Sequence, residues 1–382
     1  MPEKKYLFTP GPTPVPPQVL AALAEPVLHH RGADFRVIYE RCLARLQAVY
    51  RTGADVLLFT ASGTAAMESA GANLCDGARA VVVSAGAFGE RWEKIAALHG
   101  AELEAMRYEW GETPRADDLA SRLAELGGAD VVFLTQSETS TGVVADVQAL
   151  AAAAKEHGAL VVVDAISSLG AVPLEMDAWG LDAVASGSQK ALMTPPGLAM
   201  CAVSEQALGA GRPSRSFYLD WERTRAAQAK LDAPFTPATS LIVALDVALG
   251  MLLDEGLEAA FERHVRLGRA CRAGVKAMGL ELFSPDEDRS AVVTAIRAPE
   301  GVDSSDVVAG VRRHFGMTIA NGQGHLKGRI FRLGHIGWFD IFDITTALAA
   351  VELVLAELGA DVERGAAVTA ALEGFEHQAT AP

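Results

Sequence analysis

Through the first two thirds of the chain, short apolar runs alternate with longer stretches rich in Ala, Leu and Glu. The runs cover residues 56–59, 80–83, 131–134, 159–163 and 183–185, and most are Val-rich with no polar residue at alternate positions. A strand buried on both faces of a parallel sheet has that character, because neither face meets water. The stretches between them, 65–75, 90–99, 116–126 and 147–157, predict helices. Strand–helix alternation of this kind predicts an α/β fold with right-handed crossovers.

The pattern changes near residue 254. A long helix over 258–278, a strand over 291–296, a helix over 304–315, a strand over 330–333 and a helix over 339–358 predict a smaller α+β domain. In the last helix Ile344, Leu348, Val351, Leu355 and Leu358 fall on one apolar stripe. The tail after Ala360 carries no strong periodicity and is expected to fray. The longest apolar stretch, 241–253, is interrupted by Asp246 and is too short to span a bilayer, so it reads as a buried helix. The expected division is an N-terminal arm over 1–17, a large domain over 18–254 and a small domain over 255–382.

Charge and cysteine usage narrow the partners. With 33 Lys and Arg against 48 Asp and Glu, the net charge of −15 disfavours nucleic acid and anionic membrane surfaces. Cys42, Cys75, Cys201 and Cys271 are scattered, with no CxxC, so neither a disulfide framework nor a zinc site is expected and a reducing cytoplasm is the simplest compartment. The first residues meet prolines after three apolar positions, which is no signal sequence. The nine histidines show no metal-ligand spacing, and no metal is expected.

Candidate chemistry gathers at strand ends. Asp164 closes one buried run, and Lys190 follows another through Ser-Gly-Ser-Gln, 26 residues later. In open α/β sheets, ligands sit at the carboxyl ends of strands, so both side chains would face one crevice. A lysine that forms a Schiff base and an acid that keeps a pyridinium nitrogen protonated suit pyridoxal 5′-phosphate (PLP). Each residue alone has a plainer reading: a strand-ending Asp usually caps a turn, and a Lys there usually faces solvent. Gly63 and Thr64 open a helix after a strand and offer bare N–H groups to an anion, although an ordinary capped helix start looks the same. Phe88 is either a ring that stacks on a flat ligand or a core residue. Arg332, set among Ile330, Phe331 and Leu333, needs a partner if buried: a substrate carboxylate or an internal acid.

Taken together these motifs resemble a family. FTPGPTPVP, HHRGADF, TASGTAAME, VVVDAISSLG, SGSQK and FRLGHIG, in that order, resemble the class V PLP-dependent aminotransferases, and most of all the alanine–glyoxylate and serine–glyoxylate aminotransferase group. The likeness runs from Leu7 to Leu358. It implies the type I aminotransferase fold, with a large mixed seven-stranded sheet domain and a smaller α+β C-terminal domain. It also implies a homodimer with active sites at the interface. The implied reaction moves an amino group from a small L-amino acid, alanine or serine, to a 2-oxo acid such as glyoxylate. Aspartate or ureidoglycine as donor, and lyase or desulfurase chemistry on the same fold, are the alternatives.

The resemblance also implies roles. Lys190 is the Schiff-base lysine and Asp164 pairs with the pyridine nitrogen. Gly63, Thr64 and Gln189 hold the phosphate, Phe88 stacks on the ring, and Thr139 lies near the ring hydroxyl. Thr236 reaches the phosphate of the neighbouring subunit, and Arg332 clamps the substrate carboxylate. Ala233 and Thr64 stand where some relatives carry Tyr and His. A desulfurase needs a cysteine on a mobile loop, whereas the four cysteines here fall in expected helices and a strand. Intact Lys190 and Asp164 argue against a catalytically silent binding protein, and the lack of a GxGxxG in a βαβ setting argues against a nicotinamide oxidoreductase.

Overall fold

The computed structural model describes residues 5–284 and 291–376. Its centre is a seven-stranded sheet in the order Asp55–Phe59, Ala199–Val203, Ala183–Gly187, Leu160–Asp164, Val131–Thr135, Arg79–Ser84 and Glu102–Arg107. Six strands run in one direction, and Ala199–Val203 is antiparallel to both of its neighbours, so the sheet is mixed.

Alternation along each strand explains the unbroken apolar runs. Val56, Leu58, Val81, Val83, Val132, Leu134, Val161 and Val163 face one core, built with helices Ala33–Tyr50, Ala116–Leu126, Val147–Glu156 and Thr239–Glu255. Leu57, Phe59, Ala80, Val82, Val131, Phe133, Leu160 and Val162 face the other, built with helices Gly63–Leu74 and Gly89–Leu98. Side chains on a strand point to opposite faces in turn, and here both faces are covered. Helix Thr239–Glu255 contains the apolar stretch and is buried, as expected; no helix among the described residues is long and apolar enough to cross a membrane.

The smaller C-terminal domain pairs Val293–Arg297 and Ala320–Asn321 with Ile330–Gly334, all antiparallel. Helices Leu257–Ala277, Ser304–Phe315 and Ile341–Glu357 pack on that sheet. Asp340 starts the last of these through a capping box with Asp343. The N-terminal arm joins this domain: Tyr6–Leu7 pairs in parallel with Met317–Thr318, and Phe8 is buried in the same core.

One expectation needs correction, and two elements were not anticipated. The tail does not fray after Ala360, because Ala366–Glu376 is a helix that buries Ala367 and Ala371 against the C-terminal core. The strand Glu102–Arg107 goes unseen in the apolar pattern, since it lies at the sheet edge and is half-exposed along its length. Helix Ala33–Tyr50 also escapes that pattern; its first turn follows directly on the His29-His30-Arg31 loop.

Candidate active site

Asp164 is the last residue of its strand, paired across the sheet with Thr135 and Ala185. The chain turns away at once, and the Ile166 amide donates to Asp164 Oδ1 at 2.8 Å. The side chain is 4% exposed. Burial pushes its carboxyl up to about 7, and nearby Glu138 adds to the rise, while Arg91 and Lys190 pull it down.

Lys190 follows the neighbouring strand through a tightly bonded turn. Ser188 anchors that turn, its N–H donating to Leu198 O at 3.0 Å and its hydroxyl to Pro195 O at 2.7 Å. The N-terminal arm clamps the same turn: the Thr13 amide donates to Gln189 O and its hydroxyl to Lys190 O. Lys190 Nζ donates to Pro10 O at 2.6 Å. Its side chain runs so close to Gly11 that a Cβ there would lie 2.4 Å from Nζ, and Gly11 has φ +141°, a conformation that suits only glycine. Burial lowers the amine to about 8, helped by Arg332 and Arg91 and opposed by Asp164. At pH 7.5 such an amine is neutral in roughly a quarter of molecules, against about one in a thousand for a free lysine.

A cavity of about 190 Å³ lies between them. Gly63, Thr64, Phe88, Asp164, Gln189 and Lys190 all line it, so six of the residues singled out in the sequence converge there. Gly63 begins helix Gly63–Leu74, whose N-cap Ser62 makes no side-chain capping bond, and Ser62, Gly63 and Thr64 all line the cavity. Phe88 precedes helix Gly89–Leu98, and the Arg91 guanidinium lies 4.7 Å from its ring centroid.

Arg332 and Thr139 are bonded to each other and do not line this cavity. Arg332 is 5% exposed and donates from Nη1 to Thr139 O at 2.6 Å, and from Nε and Nη2 to Asn321 O at 3.1 and 2.8 Å. Burial lowers its guanidinium to about 10, and Glu138 pulls the other way. No internal acid forms an ion pair with it among the described residues, so a guanidinium with N–H groups to spare is held by carbonyls alone. Thr236 lies apart, exposed in the segment before helix Thr239–Glu255 and next to the Phe217, Tyr218 and Phe235 rings.

Four contributors were not singled out in the sequence. Ser137 and Arg91 line the cavity, Pro10 supplies the carbonyl that Lys190 binds, and Glu138 is buried at the strand end. The Glu138 carboxyl accepts from the amides of Phe88, Gly89 and Ser140 at 2.9, 3.1 and 3.1 Å, and from the Ser140 hydroxyl. Burial raises its pKa against those bonds. Gly86 is small of necessity, since a Cβ would fall 2.5 Å from the Glu138 side chain. His335, in the FRLGHIG motif, is fully buried with its Nε2 on the Thr294 hydroxyl, a satisfied core histidine.

The model of the class V aminotransferases matches residues 5–330. The chain belongs to the class V aminotransferase family. Among relatives of this aminotransferase, the L-aspartate–glyoxylate aminotransferase of Paracoccus denitrificans is 35% identical over 100% of this chain and 98% of its own. A Synechococcus protein named as the small subunit of a soluble hydrogenase is 43% identical over 97% of this chain and 98% of its own. The crystal structure of the ureidoglycine–glyoxylate aminotransferase of Bacillus subtilis superposes with a TM-score of 0.94 at 30% identity, covering 99% of each chain. The cofactor of this aminotransferase is therefore PLP. The residues present fit it: donors line the cavity, the Gln189 Oε1 and Ser137 Oγ atoms beside it are buried with no partner, and an acid and an amine face it.

Proposed function

We propose that this enzyme transfers the amino group of a small L-amino acid, alanine or serine, to glyoxylate, with Lys190, Asp164 and Arg332 as its working residues. One observation carries the reading: a buried amine and a buried carboxyl line one cavity, and the charge of the Arg332 guanidinium, which has no ion-pair partner among the described residues, is felt at the amine. Glyoxylate also figures in the names of the Paracoccus and Bacillus relatives, which supports it as acceptor.

When bound, PLP supplies an electron sink that makes the substrate Cα–H bond acidic. Lys190 would be the residue that holds the cofactor, and its amine would be free to act once substrate is bound. The freed Nζ then takes the proton from the substrate Cα, and its lowered pKa lets it accept and return that proton near neutral pH. Asp164 would keep the pyridine nitrogen protonated, Phe88 would stack on the ring, Gly63, Thr64 and Gln189 would bind the phosphate, and Thr139 would serve the ring hydroxyl. Arg332 takes the α-carboxylate that donor and acceptor share, so one site serves both half-reactions. Residues 18–254 form the cofactor-binding part, flanked by the arm over 1–17 and the small domain over 255–382.

The four cysteines are buried and unpaired, and burial raises the thiol pKa of each, so none offers a desulfurase its nucleophile. The same cysteines suit a reducing, cytoplasmic setting. The enzyme is proposed to be a homodimer. Val27 and Phe217 are 77% and 70% exposed, and a second copy would cover them and bring Thr236 to the partner's phosphate site. Light scattering is expected to give twice the 40.1 kDa chain mass; a monomer at micromolar concentration would remove Thr236 from the site.

The donor is settled by a panel of alanine, serine, aspartate and (S)-ureidoglycine, each against glyoxylate and pyruvate. Alanine or serine with glyoxylate is expected to give the highest kcat/KM. Aspartate or ureidoglycine ahead by tenfold would move the donor to that compound, and sulfide release from cysteine would revive desulfurase chemistry.

A further inference from the structure

We propose that Arg91 is an anion-binding residue of the cavity and holds the cofactor's phosphate together with the first-turn amides of helix Gly63–Leu74. This rests on the cavity being the PLP site and extends it to a residue that no motif marked.

Arg91 sits in the first turn of helix Gly89–Leu98. Its side chain folds back over Phe88, 4.7 Å from the ring centroid, and Nη1 donates to Thr64 Oγ1 at 3.0 Å. It thus bridges the two helix starts that border the cavity. Other arginines of this acid-rich chain find acids: Arg41 and Arg45 share Asp246, Arg107 takes Glu93 and Arg225 takes Asp55. Arg91 makes no ion pair among the described residues, although it is half-buried. A partly desolvated guanidinium without an acid gains most from an anion brought by a ligand.

Position decides which anion. Arg332, held by the carbonyls of Thr139 and Asn321, serves the α-carboxylate. Arg91 instead stands at Thr64, where helix amides, a hydroxyl and a guanidinium converge as donors beside an N-cap that makes no side-chain bond. A phosphate dianion accepts from all of these at once, and the positive end of the helix dipole favours its charge. The fork of Arg91 adds what a lysine could not, two parallel N–H groups fixed in one plane.

The test uses enzyme freed of its cofactor and titrated with PLP, with pyridoxal, which lacks the phosphate, and with PLP in the presence of inorganic phosphate. Arg91→Met is expected to lose roughly tenfold to a hundredfold in PLP affinity, keep its pyridoxal affinity within about twofold, and lose competition by inorganic phosphate. Arg91→Lys should lie between, and it carries the same PLP-to-pyridoxal comparison if the Met variant does not fold. An equal loss for pyridoxal would place Arg91 on the ring through Phe88 and overturn the proposal, as would unchanged PLP affinity. Wild-type protein that bound neither compound would overturn the cofactor site itself along with it.

Discussion

Lys190→Ala is expected to lower transamination by at least about ten-thousandfold while leaving the fold intact. No neighbour can take over the proton. Arg332 is a guanidinium that burial lowers only to about 10, and Asp164 is proposed to be taken up by the pyridine nitrogen. The Nζ bond to the Pro10 carbonyl is lost, but the Thr13 bonds go to the backbone carbonyls of Gln189 and Lys190 and would remain, so the turn keeps its shape without the side chain. Loss of rate can be separated from loss of structure through its pH dependence. The folded protein lowers the Lys190 pKa from 10.5 to about 8, so holding the charged amine costs stability below pH 8 and that cost fades as pH rises to 10.5. The alanine variant without cofactor should therefore melt no lower than wild type at pH 7. Lys190→Arg distinguishes charge from proton transfer: it keeps the cation and should be as inactive as alanine. Single-turnover measurements of the cofactor's visible band, run with alanine and with glyoxylate, check both variants. Activity within tenfold of wild type in either would reject Lys190 as the proton carrier.

Some of this site could be read from the chain and some could not, for identifiable reasons. Asp164 and Lys190 stand out because one ends, and the other lies a short turn beyond, a strand whose Val and Ala content marks it as buried on both faces. Their convergence follows from the strands being neighbours in the sheet. Gly63 and Thr64 stand out because a helix opens there after a strand. Glu138 and Arg91 carry no such signal. Glu138 sits in Ser-Glu-Thr beyond a strand end, and its bonds go to amides some 50 residues earlier, which only the tertiary fold reveals. Arg91 could have been found from its spacing, since a residue three beyond Phe88 on a helix lies on the same face. The Pro10 carbonyl is a backbone atom and leaves no trace in side-chain pattern. The same limits apply to the fold. Edge strand Glu102–Arg107 mixes charged and apolar residues because water reaches it, and helix Ala366–Glu376 buries alanines, whose small side chains make a weak stripe. At Gly374 an added Cβ would lie 3.0 Å from Ala273, so the helix packs closely with little apolar bulk.

Asp164→Asn is expected to act in opposite directions on turnover and on stability. The amide cannot carry the negative charge proposed to keep the pyridine nitrogen protonated. Loss of one charge-assisted hydrogen bond, about 2–3 kcal/mol, corresponds to roughly a hundredfold in rate, with the weakened electron sink adding to it. In the cofactor-free protein the same change should stabilise. Folding raises the Asp164 pKa from 3.8 to about 7, so the folded state keeps a proton that the unfolded chain releases. Below pH 3.8 both states are protonated and the carboxyl costs nothing on this account. Between pH 3.8 and 7 the cost grows by about 1.4 kcal/mol per pH unit, and above pH 7 it stays at a few kcal/mol. Asparagine carries no such charge, so the variant should melt higher than wild type at pH 8 and the two should converge near pH 4. Cofactor-loaded enzyme should show the reverse order at pH 8, because the pyridinium gives the wild-type carboxylate its counter-charge. Melting curves of both proteins, with and without PLP, at pH 4, 6 and 8 provide the check. A variant that melts below wild type without cofactor at pH 8 would mean that the carboxylate is stabilised in the empty cavity, and the account of Asp164 as a strained acid awaiting a cation would have to be abandoned.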